Sequence, residues 1–223
     1  MAPAVSLRSA VALLGRFPAL AGVDLDVEEG CVVAALGANG AGKTSLLQLL
    51  AGLLELRSGT ASVLGCDLAR ERVEVRRRVG LLGHRLSFYA DLTPAENLAF
   101  ALRAARRDPS GASASLDRVG LTGRLASTPT RSLSAGQQRR MGLAWLHARR
   151  PALWLLDEPH AALDPQGREL CDALVDEAAC GGATVVLTSH DEPRAASVAD
   201  VVVTLAGGVV TDKRTGDRRH HVA

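Results

Sequence analysis

The chain has 223 residues, 47% apolar and 22% charged, with a formal net charge of +2. That balance excludes wholesale disorder and gives no electrostatic case for nucleic-acid binding. At roughly 150 residues per domain the length fits one or two domains, and about 70% of the unfolded surface would be buried on folding, so a full core needs no disulfides. Cys31, Cys66, Cys171 and Cys180 show neither a CxxC pair nor zinc spacing, and read as small core residues of a protein kept in a reducing compartment. The N-terminus lacks the order of a secretory signal. The longest apolar stretch, 201–210, is broken by Thr204 and Gly207-Gly208 and is about half of the ~20 residues that a membrane helix needs. No direct insertion into a bilayer is expected.

In chain order, the alternating run Val23 to Val27 (V-D-L-D-V) predicts a half-exposed antiparallel strand. Cys31 to Leu36 is a continuous apolar run, the pattern of a strand buried on both faces. A glycine-rich segment follows, and Thr44 to Leu54 carries apolar residues at helical spacing. Thr93 to Arg107 predicts a helix, with Thr93 as N-cap, Pro94 in the first turn and Glu96 completing a capping box. Asp108 to Ser115, small and polar, reads as a loop. A further helix runs from near Ser134 to about Arg149. Ala152 to Leu156 and Thr184 to Leu187 are two more buried strands, joined by a crossover helix from Pro165 to Ala179 that stops at Gly181-Gly182. Lys213 to His221, basic and without apolar periodicity, reads as a frayed end. Buried strands alternating with helices predict an α/β fold with a parallel sheet covered on both faces.

Three motifs carry chemistry. Gly37-Ala-Asn-Gly-Ala-Gly-Lys43-Thr44 matches GxxxxGK[ST] in full, between a strand and a helix. Glycines let successive backbone N–H groups turn toward one anion, and the helix N-terminus adds its positive end there. Lys43 would neutralise the β- and γ-phosphates, and the Thr44 hydroxyl would hold Mg²⁺. The second motif, Leu153 to Pro159, is an apolar strand ending in two carboxylates. Asp157 is then placed at the sheet's C-terminal edge to hold Mg²⁺, through water, and Glu158 to polarise an attacking water as general base. The third, Leu133-Ser-Ala-Gly-Gln-Gln-Arg-Arg140, is by itself a serine-capped helix N-terminus with a small Ser and Gly exposed.

Leu-Ser-x-Gly-Gln resembles the signature of the ATP-binding-cassette ATPases, and with the other two motifs the resemblance covers essentially the whole chain. It implies a P-loop NTPase fold: a RecA-like parallel sheet flanked by helices, with an N-terminal antiparallel β subdomain and an inserted α-helical subdomain. The catalytic core would span about 1–83 and 150–223, and the helical subdomain with the signature about 84–149. The resemblance further implies a head-to-tail homodimer around two Mg·ATP. ATP would lie between Gly37, Asn39, Gly40, Gly42, Lys43, Thr44 and Ser45 of one protomer and the Ser134, Gly136 and Gln137 region of the other. Ala162-Leu163-Asp164 resembles the D-loop that crosses this interface, and His190 in Thr-Ser-His-Asp resembles the switch histidine touching the γ-phosphate. His147, His160, His220 and His221 match no motif.

Two positions depart from the family. Where a Gln normally contacts Mg²⁺ and water stands His84, a poor ligand for a hard cation. It could contact the nucleotide, couple the site to a membrane partner through its charge, or be a tolerated loop residue. Where an aromatic normally stacks on adenine stands Leu14, with Phe17 three residues on, so that either adenine packs on an aliphatic or Phe17 substitutes. Gly83-His84, followed by Leu-Thr-x-x-Glu-Asn-Leu and the signature, is similar to the ATP-binding subunit of the cytochrome c maturation complex, the haem exporter. The resemblance thus implies an ATPase powering a separate integral membrane permease from the cytoplasmic face of the inner membrane. Rival readings are a cassette of an importer with the same chemistry, and a ribosome- or DNA-acting cassette; no second phosphate loop or heptad run supports the latter.

Overall fold

A computed structural model of the chain describes residues 3–84 and 88–218. In chain order the elements begin with β1 (Val5–Leu14), β2 (Phe17–Val27), β3 (Val32–Leu36) and α1 (Lys43–Leu50). Then come β4 (Leu56–Val63), β5 (Cys66–Asp67), α2 (Arg72–Arg78), β6 (Val79–Leu82), α3 (Pro94–Ala104), α4 (Ala112–Arg118) and α5 (Ala135–Arg149). The last are β7 (Leu153–Leu156), α6 (Pro165–Cys180), β8 (Thr184–Thr188), α7 (Glu192–Val198), β9 (Val201–Ala206) and β10 (Val209–Thr215). They group into two compact units, one of 1–83, 151–158 and 175–223, the other of 84–150 and 159–174.

The first unit holds two sheets. β2, β1, β4 and β5 form an antiparallel sheet in that order, and β10, β9, β3, β8, β7 and β6 form a second, parallel except for β10 against β9. β2 buries Val23, Leu25 and Val27 while Asp24 faces solvent, the alternation its sequence predicts. β3 is buried along its whole length, with β8 and β9 on either side. α1 presents Leu46, Leu47, Leu49 and Leu50 to a core shared with both sheets, each buried leucine contributing about 1.5–3 kcal/mol. This is a P-loop NTPase core with an antiparallel β subdomain.

The second unit is helical. The Thr93 hydroxyl accepts from Glu96 N–H while the Glu96 carboxylate accepts from Thr93 N–H, the capping box foreseen for α3. Ser134 and Gln137 build the same device at the start of α5. Asn97, 2% exposed, ties α3 to the preceding segment: it accepts from Tyr89 N–H and donates to Tyr89 O and the Thr130 hydroxyl.

Several expectations need correction. Residues 108–115 are not a loop: a 3-10 turn at Pro109–Gly111, capped by Asp108, leads into α4. Ala112, Ser115 and Leu116 are buried there, and the Ser115 hydroxyl donates to Gly111 O and pairs with His147 Nδ1. Tertiary packing makes a helix of a stretch too polar to announce one. The tail is also not frayed as far as it is described. Lys213 to Thr215 pair with β9, and the Arg218 side chain, 6% exposed, bonds Asp176 and Asp200. These carboxylates hold its guanidinium above its ordinary pKa despite the opposing pull of burial. His220 and His221 lie outside the described residues. The apolar stretch 201–210 is β9 and the start of β10. Of the cysteines only Cys66 and Cys171 are buried. Cys31 is half-buried, its thiol pushed up by burial and by Asp200, and Cys180 is exposed. β1, β4, β5, α2, β6 and α7 are additional to the elements expected from the sequence. Among the described residues no helix is long and apolar enough to cross a membrane.

Candidate functional site

The glycine loop leaves the end of β3, at the centre of the parallel sheet, and opens α1. Its shape is braced from outside. Gly208 N–H, in the β9–β10 turn, donates to Ala41 O, and Gly208 O accepts from Ala21 N–H on β2. The Lys43 ammonium arches back over its own loop, donating to Gly37 O at 2.6 Å and lying 4.0 Å from Glu158 Oε1. The Lys43 side chain, itself buried, is thus held by the carbonyls of Gly37 and Ala38, while Asn39 and Gly40 of the same loop are exposed. Ser45 is buried and Thr44 is exposed.

β7 delivers the carboxylates to the same place. Asp157, 4% exposed, accepts from the Thr44 hydroxyl at 2.9 Å with Oδ2 and from the Thr188 hydroxyl at 2.8 Å with Oδ1. Thr188 Oγ1, at the end of β8, in turn accepts from Glu158 N–H at 3.0 Å. Glu158 has a left-handed backbone, φ 48°, which swings its carboxylate out of the strand direction. Its Oε2 lies 2.9 Å from His190 Nδ1, so a protonated Nδ1 donates to it and leaves Nε2 at the exposed end of the ring. Lys43, Thr44, Asp157, Glu158 and His190 thus form one connected constellation. Thr188 is the member that sequence reading missed; its signal was a hydroxyl at the C-terminal end of a buried strand.

The donors fit a hard divalent cation. Thr44 and Asp157 offer oxygen ligands 2.9 Å apart beside a phosphate-type loop. Among the described residues no cluster of three His, Cys, Asp or Glu forms a protein-only metal cage.

Phe17 and Leu14, paired across the β1–β2 hairpin, are 79% and 56% exposed. Two residues beyond Phe17, the Ala19 carbonyl approaches Gly42, so the hairpin ends beside the glycine loop with both apolar side chains presented.

In the helical unit Ser134, Gly136 and Gln137 lie at the N-terminus of α5 and line an open cleft of about 540 Å³ with Arg140, Asp164 and Gln166. The Ser134 hydroxyl accepts from Gln137 N–H, and Gln137 Oε1 accepts from Ser134 N–H, so Gln137 is held by the cap. His84 also belongs to this unit and is exposed; Arg85 to Ser87, which follow it, lie outside the described residues.

Sheet order, loop and paired carboxylates define a P-loop nucleoside-triphosphatase. A family model described as "ABC transporter" matches residues 20–161, and the chain belongs to that family as an ATP-binding, ATP-hydrolysing subunit. It is 44% identical to the "Cytochrome c biogenesis ATP-binding export protein CcmA" of Rhodopseudomonas palustris, over 76% of this chain and 83% of that protein. It is 43% identical to the protein of the same description from Pseudomonas syringae pv. tomato, over 75% and 79%. The "Sulfate/thiosulfate import ATP-binding protein CysA 1" of Agrobacterium fabrum is 38% identical over 91% of this chain but only 60% of its own length. Among solved structures, the dimeric ATP-binding cassette MJ0796 in a post-hydrolysis state with ADP and phosphate superposes with a TM-score of 0.88. That match has 26% identity and covers 96% of this chain and 99% of that one.

Proposed function

We propose that this chain powers a cytochrome c maturation exporter, the haem exporter, by hydrolysing ATP on the cytoplasmic face of the inner membrane while docked on a separate permease. Supporting the subfamily is the run of relatives described as cytochrome c biogenesis export proteins at 43–44% identity over three quarters of the chain. The importer relative covers more of this chain at lower identity, which makes an import cassette the second reading.

The observation that carries the mechanism is the Glu158 carboxylate held by His190 next to the Thr44–Asp157 pair. Water attacks the γ-phosphorus of ATP and releases ADP and inorganic phosphate. Glu158 takes the proton of that water as it attacks. His190, oriented by its Nδ1–H bond to Glu158, reaches the γ-phosphate with Nε2. Lys43 and the N–H groups of Gly37 to Ser45 stabilise the charge on the phosphates. Thr44 directly and Asp157 through water would hold Mg²⁺, which would supply positive charge to offset that of the phosphates. Adenine rests on the hairpin end, on Leu14 or Phe17. Ser134 and Gly136 of a second copy close over the same nucleotide, so the working form is a homodimer with two ATP. His84 takes the place of a Gln and contacts nucleotide or permease.

Glu158→Gln tests this reading. The amide keeps the volume but cannot accept the proton, so kcat should fall by about 10²–10⁴ with ATP binding retained and an ATP-dependent dimer visible by size exclusion. Hydrolysis at the wild-type rate would remove Glu158 from the role. Co-purification with an export permease supports the first reading; co-purification with an importer permease and a binding protein supports the second.

A further inference from the structure

The turn from His160 to Asp164 is fastened to α6, which follows it, and through Arg140 to the signature helix α5 as well. Asp164 Oδ1 accepts from Gly167 N–H at 2.8 Å, the ordinary cap of a helix that starts at Pro165. The same oxygen accepts from Arg140 Nη2 at 2.7 Å, a residue 24 positions earlier on α5. Leu163 O accepts from Arg168 Nε, and His160 Nε2 lies 2.6 Å from Asp172 Oδ1. Between these fasteners Ala162 sits at φ +62°, a conformation that a non-glycine residue keeps only when its surroundings impose it. That turns the Ala162 carbonyl onto Gly136, where an added Cβ would lie 2.7 Å from it. The clasp lies at the rim of the cleft that Ser134 and Gly136 line, with the Arg140 side chain 21% exposed and that of Asp164 60% exposed.

A cap alone would be satisfied by Gly167. The additional cross-helix bond from Arg140 joins two segments, and its distinctive effect is to fix the 160–164 backbone against Ser134 and Gly136. We propose that Arg140 is a positioning residue for ATP hydrolysis: through Asp164 it locks the 160–164 turn to the N-terminus of α5, so that both reach a second copy as one preformed surface. The inference rests on the dimer reading given above. The contact through which Arg140 acts is its bond to Asp164. The Asp164 carboxyl is held below its usual pKa, first by Gly167 N–H and then by Arg140, so it is charged throughout the range in which the enzyme would be assayed.

The test measures kcat and KM for ATP in Arg140→Ala, Arg140→Lys, Asp164→Asn and Arg140→Ala/Asp164→Asn. Asparagine retains the cap while removing the charge. Arg140→Ala should lower kcat roughly tenfold, about 1.4 kcal/mol of transition-state stabilisation, with KM changed less than about twofold. Arg140→Lys should recover a large part of kcat. In the Asp164→Asn background, removing Arg140 should cost less than about threefold, because the two act as one unit. Wild-type kcat in Arg140→Ala, a full tenfold loss in the Asp164→Asn background, or a loss confined to KM would each overturn the proposal. The dimer reading fails separately: Glu158→Gln that stays monomeric with saturating ATP sinks it, whatever kcat Arg140→Ala shows.

Discussion

The glycine loop permits a comparison in which two chemically identical changes should differ because of space alone. Gly40 and Gly42 both have positive φ, +80° and +106°, so alanine at either carries backbone strain of about 1–2 kcal/mol. A Cβ on Gly40 meets nothing within 4 Å. A Cβ on Gly42 would lie 2.7 Å from Ala19 O and 3.2 Å from Leu20 Cδ2. The first is backbone in a paired strand and cannot swing aside, which adds roughly 1–3 kcal/mol of overpacking. Thermal unfolding should therefore separate the variants. At about 2–4 °C per kcal/mol for a chain of this size, Gly42→Ala should melt at least about 2–4 °C below Gly40→Ala. It should also lose more ATP affinity, since the displaced Ala19–Leu20 segment borders the loop. Equal melting temperatures, or a lower one for Gly40→Ala, would refute the reasoning that Ala19 O closes the space beside Gly42.

Two further outcomes concern the helical unit. Asn97→Leu leaves Tyr89 N–H, Tyr89 O and the Thr130 hydroxyl short of a partner; urea unfolding should show a loss of about 2–4 kcal/mol, and a change under about 0.5 kcal/mol would contradict it. Acid should also weaken this unit. Glu96, Asp108 and Asp164 titrate below their usual values because of the Thr93 N–H and hydroxyl, the Ser110 hydroxyl and N–H, and the Gly167 N–H with Arg140, respectively. A depressed carboxylate contributes stability that is present above its unfolded pKa, about 4, and is lost as pH falls through the folded value. Melting temperature should thus drop below about pH 4, and Asp164→Asn should flatten part of that slope; an unchanged slope would count against the Asp164 contribution.

How much was legible depends on the range of the forces involved. Gly37 to Thr44, the Thr93–Glu96 capping box, the Ser134 helix cap and the alternation of Val23 to Val27 are set by residues within a few positions of one another. Backbone freedom, helix-end N–H groups and the two-residue period of a strand are local physics, and they appear in the sequence as spacing. The paired carboxylates Asp157-Glu158 were readable for the same reason, since a buried strand ends where its first charges stand.

Other features arise from partners far along the chain. Residues 108–115 hold too few large apolar groups to show a helical period; Ser115 and Leu116 become core only because α4 packs on the α5 helix, where His147 meets Ser115. Lys213 to Thr215 look like a solvated tail, yet β9 supplies the hydrogen bonds that make them a strand, and Arg218 finds Asp176 and Asp200. Thr188 gains its place between Asp157 and Glu158 only through the β7–β8 register. The clasp of Arg140 on Asp164 joins residues 24 positions apart, and no local rule pairs one of 24 arginines with one particular aspartate. By itself the sequence determined the phosphate loop, the carboxylates and the signature, because each is a short-range backbone device. Only the tertiary structure decided that the Thr188 hydroxyl stands between the carboxylates and that Arg140 pairs with Asp164, because those contacts depend on how distant strands and helices come into register.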